Sequence, residues 1–131
     1  MTKEKRNKVY EKYEGRCAYT GKYLDAEWTV DHMNPIALRN RRNKIFVPLN
    51  AIDNLMPACL IVNQYKRDMD LEQFRKQMQR FHKLLQSLPK HPYLPKTQRK
   101  KEFLLKIAEL FDITPNRPFS GKFFFETYQN E

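Results

Sequence analysis

The chain has 131 residues, 25 Lys and Arg against 15 Asp and Glu, a formal net charge of +10, and 40% hydrophobic and 13% aromatic content. That length sets one ordinary domain whose single core buries roughly two thirds of the unfolded surface, and the apolar content excludes wholesale disorder. The longest apolar run, ending at Val62, contains a proline and falls far short of the ~20 residues of a membrane span, so the expected partner is a polyanion, nucleic acid first, and no membrane.

Residues 3 to 13 are helix formers, with Thr2 placed to cap, Gly15 placed to terminate, and Val9, Tyr10 and Tyr13 on one side. Thr20-Gly21 signals a tight turn, and Glu27 to Met33 alternates as a strand with Trp28 and Val30 facing one way, ended by Pro35. From Asn34 to Asp53 no period holds, and Arg39, Arg41, Arg42 and Lys44 occur with no acidic residue among them. The segment reads as a loop of a length that tends to be functional.

Leu55 to Cys59 predicts a second strand, and Leu60 onward a helix that puts Asn63 and Lys66 one turn apart on one face. From Leu71 the residues Phe74, Met78, Phe81, Leu85 and Leu88 recur three and four apart behind an Asp70/Gln73 capping box, which predicts one continuous helix. Pro89, Pro92 and Pro95 form a stiff linker. A last helix is predicted near Gln98 to Phe111, with Phe103, Leu104, Ile107, Leu110 and Phe111 inward, and the tail from Lys122 to Glu126 reads as a short strand or an aromatic plug.

The residues with chemistry are Asp31-His32, then Asn54, then Asn63. Hydrolysis of a phosphodiester needs a deprotonated water, positive charge at the phosphorane, and help for the departing 3′ oxygen. His32 meets the first need, because a neutral imidazole accepts a proton near physiological pH. Asp31 and Asn63 offer hard oxygens to one Mg²⁺ or Mn²⁺, an ion that keeps waters and takes few protein ligands. Neighbouring side chains on a strand point to opposite faces, so Asp31 and His32 can share a site only where the strand ends, as Pro35 suggests. Asn54 suits the role of organiser, its amide bonding backbone across the loop, while Lys66, Arg39, Arg41, Arg42 and Lys44 suit phosphate contacts. Singly, His32 reads as a strand-end histidine, Asn54 as a turn former and Asn63 as a helix cap; order and spacing together favour the site. His82 and His91 are expected in surface roles.

With the approach Tyr13-Glu-Gly-Arg-Cys17-Ala-Tyr-Thr20-Gly21 and the run Asp53-Asn54-Leu-Met-Pro57-Ala-Cys59-Leu-Ile-Val62-Asn63-Gln-Tyr-Lys66, this pattern resembles the HNH endonuclease family, in the variant that ends on Asn. The resemblance implies an α+β, mainly helical single domain over 1–131, built on a ββα-metal finger: a nuclease core over about 10–68, and helical support over about 69–131. It implies a metal-dependent endonuclease of double-stranded DNA with His32 as general base, Asn54 fixing the loop, and Asp31 and Asn63 as ligands of a single Mg²⁺ or Mn²⁺. The alternative is a catalytically inactive DNA- or RNA-binding module. Many relatives carry two Cys-x-x-Cys knuckles; here Cys17 and Cys59 are the first cysteine of each, and Thr20 and Val62 stand at the second positions. Two thiols are half of a structural zinc site, so no zinc is expected. Two cysteines and no apolar leader point to a reducing cytoplasm.

Overall fold

The computed structural model describes residues 1–35 and 49–129. The protein is α+β, with helices dominant and one two-stranded antiparallel sheet among the described residues. It divides into two compact units, Met1–Phe74 with Phe123–Glu131, and Arg75–Lys122. Among the described residues no helix is long and apolar enough to cross a membrane.

The first unit opens on α1 (Lys3–Glu11), where the Thr2 hydroxyl accepts from the Lys5 N–H at 3.1 Å. Gly15, at φ +80°, takes the left-handed conformation that ends the turn after it, its N–H reaching the Tyr10 carbonyl. Val9 is fully buried and Tyr10 is 38% exposed, while Tyr13, beyond the end of the helix, is half-buried against Phe124 and Tyr128.

Strand β1 (Thr29–His32) pairs with β2 (Leu55–Ala58) in the register Thr29↔Ala58 to His32↔Leu55. Each is shorter than expected. Every residue of β2 is buried, and the Pro57 carbonyl accepts from the Ala18 N–H at 2.8 Å. A residue of an antiparallel strand points its N–H and C=O to the same side, so the N–H that Pro57 lacks would face Ala18 and not β1. The proline therefore breaks no rung of the ladder. Helix α2 (Leu60–Lys66) starts directly after β2 and packs on β1.

The tail fills the core of this unit. Phe123 is fully buried, stacks on Phe74 at 5.1 Å and meets Tyr19 edge-on at 5.4 Å. The N–H groups of Phe124 and Phe125 bond the carbonyls of Tyr19 and Ala18. The tail is thus an aromatic plug, whose Phe124 and Phe125 begin one short helix, α6 (Phe124–Thr127).

The expected single helix from Leu71 is two, α3 (Leu71–Gln79) and α4 (Phe81–Gln86), and α3 carries the chain from the first unit into the second. The capping box forms as expected, with the Gln73 N–H donating to Asp70 Oδ1 at 2.7 Å and the Asp70 N–H to Gln73 Oε1 at 3.0 Å. At Arg80 the backbone sits at φ −98°, ψ −3°, and its N–H bonds Gln77, three residues back, which interrupts the α-helical ladder. Met78, Phe81 and Leu85 stay buried across the break. Helix α5 (Pro95–Phe111) begins earlier than expected, with Pro95 at its first turn where a missing N–H costs nothing. Its Leu104, Ile107 and Ala108 are buried, and Asp112 closes it in the left-handed conformation.

Candidate functional site

Asp31, His32 and Asn63 line one cleft of about 360 Å³, together with Arg67, Asp68 and an apolar wall of Val30, Pro35 and Leu49. Asp31 and His32 are adjacent on β1, yet both reach the cleft because the strand ends at His32.

Asp31 is 4% exposed. Its Oδ2 accepts from the Tyr19 hydroxyl at 2.5 Å and lies 3.0 Å from Lys66 Nζ. The same ammonium donates to the His32 carbonyl at 3.0 Å. Burial pushes the Asp31 carboxyl above its ordinary range, against the pull of Lys66 and the Tyr19 hydroxyl. Burial, then the Asp31 charge, hold the Tyr19 hydroxyl well up and protonated, so it serves as a donor.

Lys66 departs from its expected place on a phosphate path. Its side chain has no exposed surface. It shares with Asn63 a face of α2, as expected, but that face packs on β1, where the Asn63 amide nitrogen donates to Thr29 Oγ1 at 3.4 Å. Lys66 therefore compensates Asp31 internally and does not reach a ligand from solvent. Arg39, Arg41, Arg42 and Lys44 lie outside the described residues.

His32 Nε2 is 2.9 Å from Asn50 Oδ1. With the amide so oriented, Nε2–H donates and Nδ1 keeps the lone pair. Asn54 is 5% exposed and works on backbone alone: its amide nitrogen donates to the Leu49 and Asn34 carbonyls at 2.8 and 3.0 Å, and its oxygen accepts from the Asn34 N–H at 2.9 Å. It thus ties the two ends of the intervening segment. Two lysines of the N-terminal region secure the stretch that follows it, Lys5 on the Asn50 carbonyl and Lys12 on those of Ile52 and Leu55. Burial lowers the Lys12 ammonium, partly offset by Asp53.

Among the described residues no three His, Cys, Asp or Glu side chains gather as a metal cage. The pair Asp31 and Asn63 is of another kind, one carboxylate and one amide, and suits an ion that keeps most of its waters. Tyr19 and Lys66 hold one Asp31 oxygen, and Thr29 holds the nitrogen end of the Asn63 amide, which turns that amide's oxygen away from Thr29.

The two cysteines meet. Cys17 is buried, Cys59 half-buried, and both are free thiols. Burial pushes the Cys17 thiol up, but hydrogen bonds from the Cys59 thiol, the Thr20 hydroxyl and the main-chain N–H groups of both residues outweigh it and bring Cys17 to about 6. Cys59, which gives that hydrogen bond, is held up. The pair shares a proton, and the first to leave goes more easily than from a free thiol.

Tyr19, Asn50 and Arg67 were not legible as site residues in the sequence. Tyr19 sits inside the turn after Cys17, and Asn50 and Arg67 carry no motif. Comparison of the chain with protein-family models, with curated proteins and with solved structures returned no match.

Proposed function

We propose that the protein is a metal-dependent endonuclease of the HNH type that hydrolyses DNA phosphodiester bonds. The observation that carries this reading is the convergence of Asp31, His32 and Asn63 on one cleft at the end of a β-β-α unit. In it, His32 Nδ1 takes the proton of the attacking water while Asn50 fixes the ring through Nε2. Asp31 and Asn63 would hold the ion, Mg²⁺ or Mn²⁺, which supplies positive charge to the phosphorane and the leaving oxygen. Asn54 ties Asn34 to Leu49 beside the site, and Arg39, Arg41, Arg42 and Lys44 would contact phosphates on either side.

A second reading, a catalytically silent nucleic-acid-binding module, draws on one observation: the Asp31 carboxylate already has a cation in Lys66. Incubation of supercoiled plasmid with the purified protein and Mg²⁺, Mn²⁺ or EDTA separates the two. The nuclease nicks or cuts with metal and not with EDTA, and His32→Ala abolishes cleavage while leaving DNA binding nearly intact, because the base acts on water and not on affinity. A His32→Ala protein that cuts like wild type sinks the mechanism, and binding with no metal-dependent cutting establishes the silent module.

A further inference from the structure

The chain leaves α2 through a tight turn, Lys66 to Met69, closed by the Met69 N–H on the Lys66 carbonyl at 3.2 Å. Arg67 takes its second position at φ 54°, ψ −127°. Those angles are those of a type II′ turn, whose second residue is normally glycine because a Cβ there crowds the backbone. Strain of this kind persists where the surrounding structure holds it and gathers at functional sites.

Here the turn has a result. Lys66 stays inside, spent on Asp31, while Arg67 is thrown outward into the cleft that Asp31, His32 and Asn63 line. Among the described residues Arg67 is the cation in the wall of that cleft, and none of them engages its guanidinium. A planar fork with no described residue on it, beside a base and a carboxylate–amide pair, matches two oxygens of a phosphate, a geometry that a lysine does not offer.

The structure assigns Arg67 as the catalytic residue that grips the non-bridging oxygens of the phosphodiester under attack, held there by a strained turn. The assignment rests on the nuclease reading above. It explains why an arginine occupies a glycine position: the backbone gives up stability to aim the side chain.

The test is Arg67→Gly, assayed by single-turnover nicking of supercoiled plasmid with Mn²⁺ and by thermal unfolding, beside wild type, His32→Ala and Arg67→Lys. Glycine relieves the turn, so the melting temperature holds or rises by a few degrees even after glycine's own entropy cost, while the cleavage rate falls about 100- to 1,000-fold. Arg67→Lys, which keeps the charge without the fork, recovers part of the rate. An Arg67→Gly protein that nicks at the wild-type rate overturns the assignment. So does one whose lost activity accompanies a lower melting temperature, since Arg67 then supports the fold and not the substrate. Wild-type cutting by His32→Ala, or none by wild type, removes the nuclease reading itself and the assignment with it.

Discussion

A fully buried lysine is tolerable only beside a counter-charge, and Lys66 has one in Asp31, with Tyr19 bonded to the same oxygen. Asp31→Asn keeps the shape of the site and leaves the ammonium uncompensated, which costs about 3–5 kcal/mol. Adding Lys66→Met removes the stranded charge and recovers most of that loss in denaturant unfolding. If the double variant is no more stable than Asp31→Asn alone, the two residues are not coupled as their 3.0 Å separation implies. At this scale the sequence made Asp31, His32, Asn54 and Asn63 legible, because spacing and residue type both pointed at one chemistry. It hid Lys66's burial and Arg67's exposure. Adjacent basic residues look alike in a sequence, and which one turns inward depends on the face that α2 lays on β1 and on a backbone turn that no residue of the stretch announces.

The elements were legible where a local rule decides them and obscure where packing does. The Asp70/Gln73 capping box, the Thr2 cap and the short strand before Pro35 follow from chemistry within a few residues. The break at Arg80 does not, since Phe74, Met78, Phe81 and Leu85 keep a helical period straight across it. The contact between Cys17, in the turn after α1, and Cys59, at the start of α2, joins elements far apart in the chain and yields a pH-dependent expectation. In the fold Cys17 titrates near 6 against an ordinary 9.0, so the unfolded chain binds more protons between those values and the pair adds stability as pH rises through that window. Cys59 is shifted the other way, so stability falls as pH climbs past 9.0, where the unfolded thiol ionises and the folded one does not. Thiolate ultraviolet absorbance should therefore show one thiol ionising near pH 6 and the other staying protonated past its ordinary range. Two thiols that titrate together at the ordinary value would rule out the shared proton.

The molecule as a whole carries +10, and that charge is what a partner meets before any site. Of the basic residues proposed for phosphate contact, Lys66 is withdrawn into the interior and paired with Asp31, so on the proposed nuclease reading the contacts would fall to Arg67 in the cleft and to Arg39, Arg41, Arg42 and Lys44. Counterion release makes such binding fall with salt by about 0.9 in log–log slope for each phosphate neutralised. Replacing Arg39, Arg41 and Arg42 together by Ala should lower affinity for duplex DNA and flatten the slope by about 2.7, three contacts at about 0.9 each. Arg67→Gly, by contrast, should flatten it by no more than about one such contact while removing most of the cleavage rate. On the proposed nuclease reading the two effects separate, because three arginines would supply affinity along the backbone and one would act on the reacting phosphate. A triple variant whose binding keeps the wild-type salt dependence would show that the segment's charges are solvated and bear no phosphate.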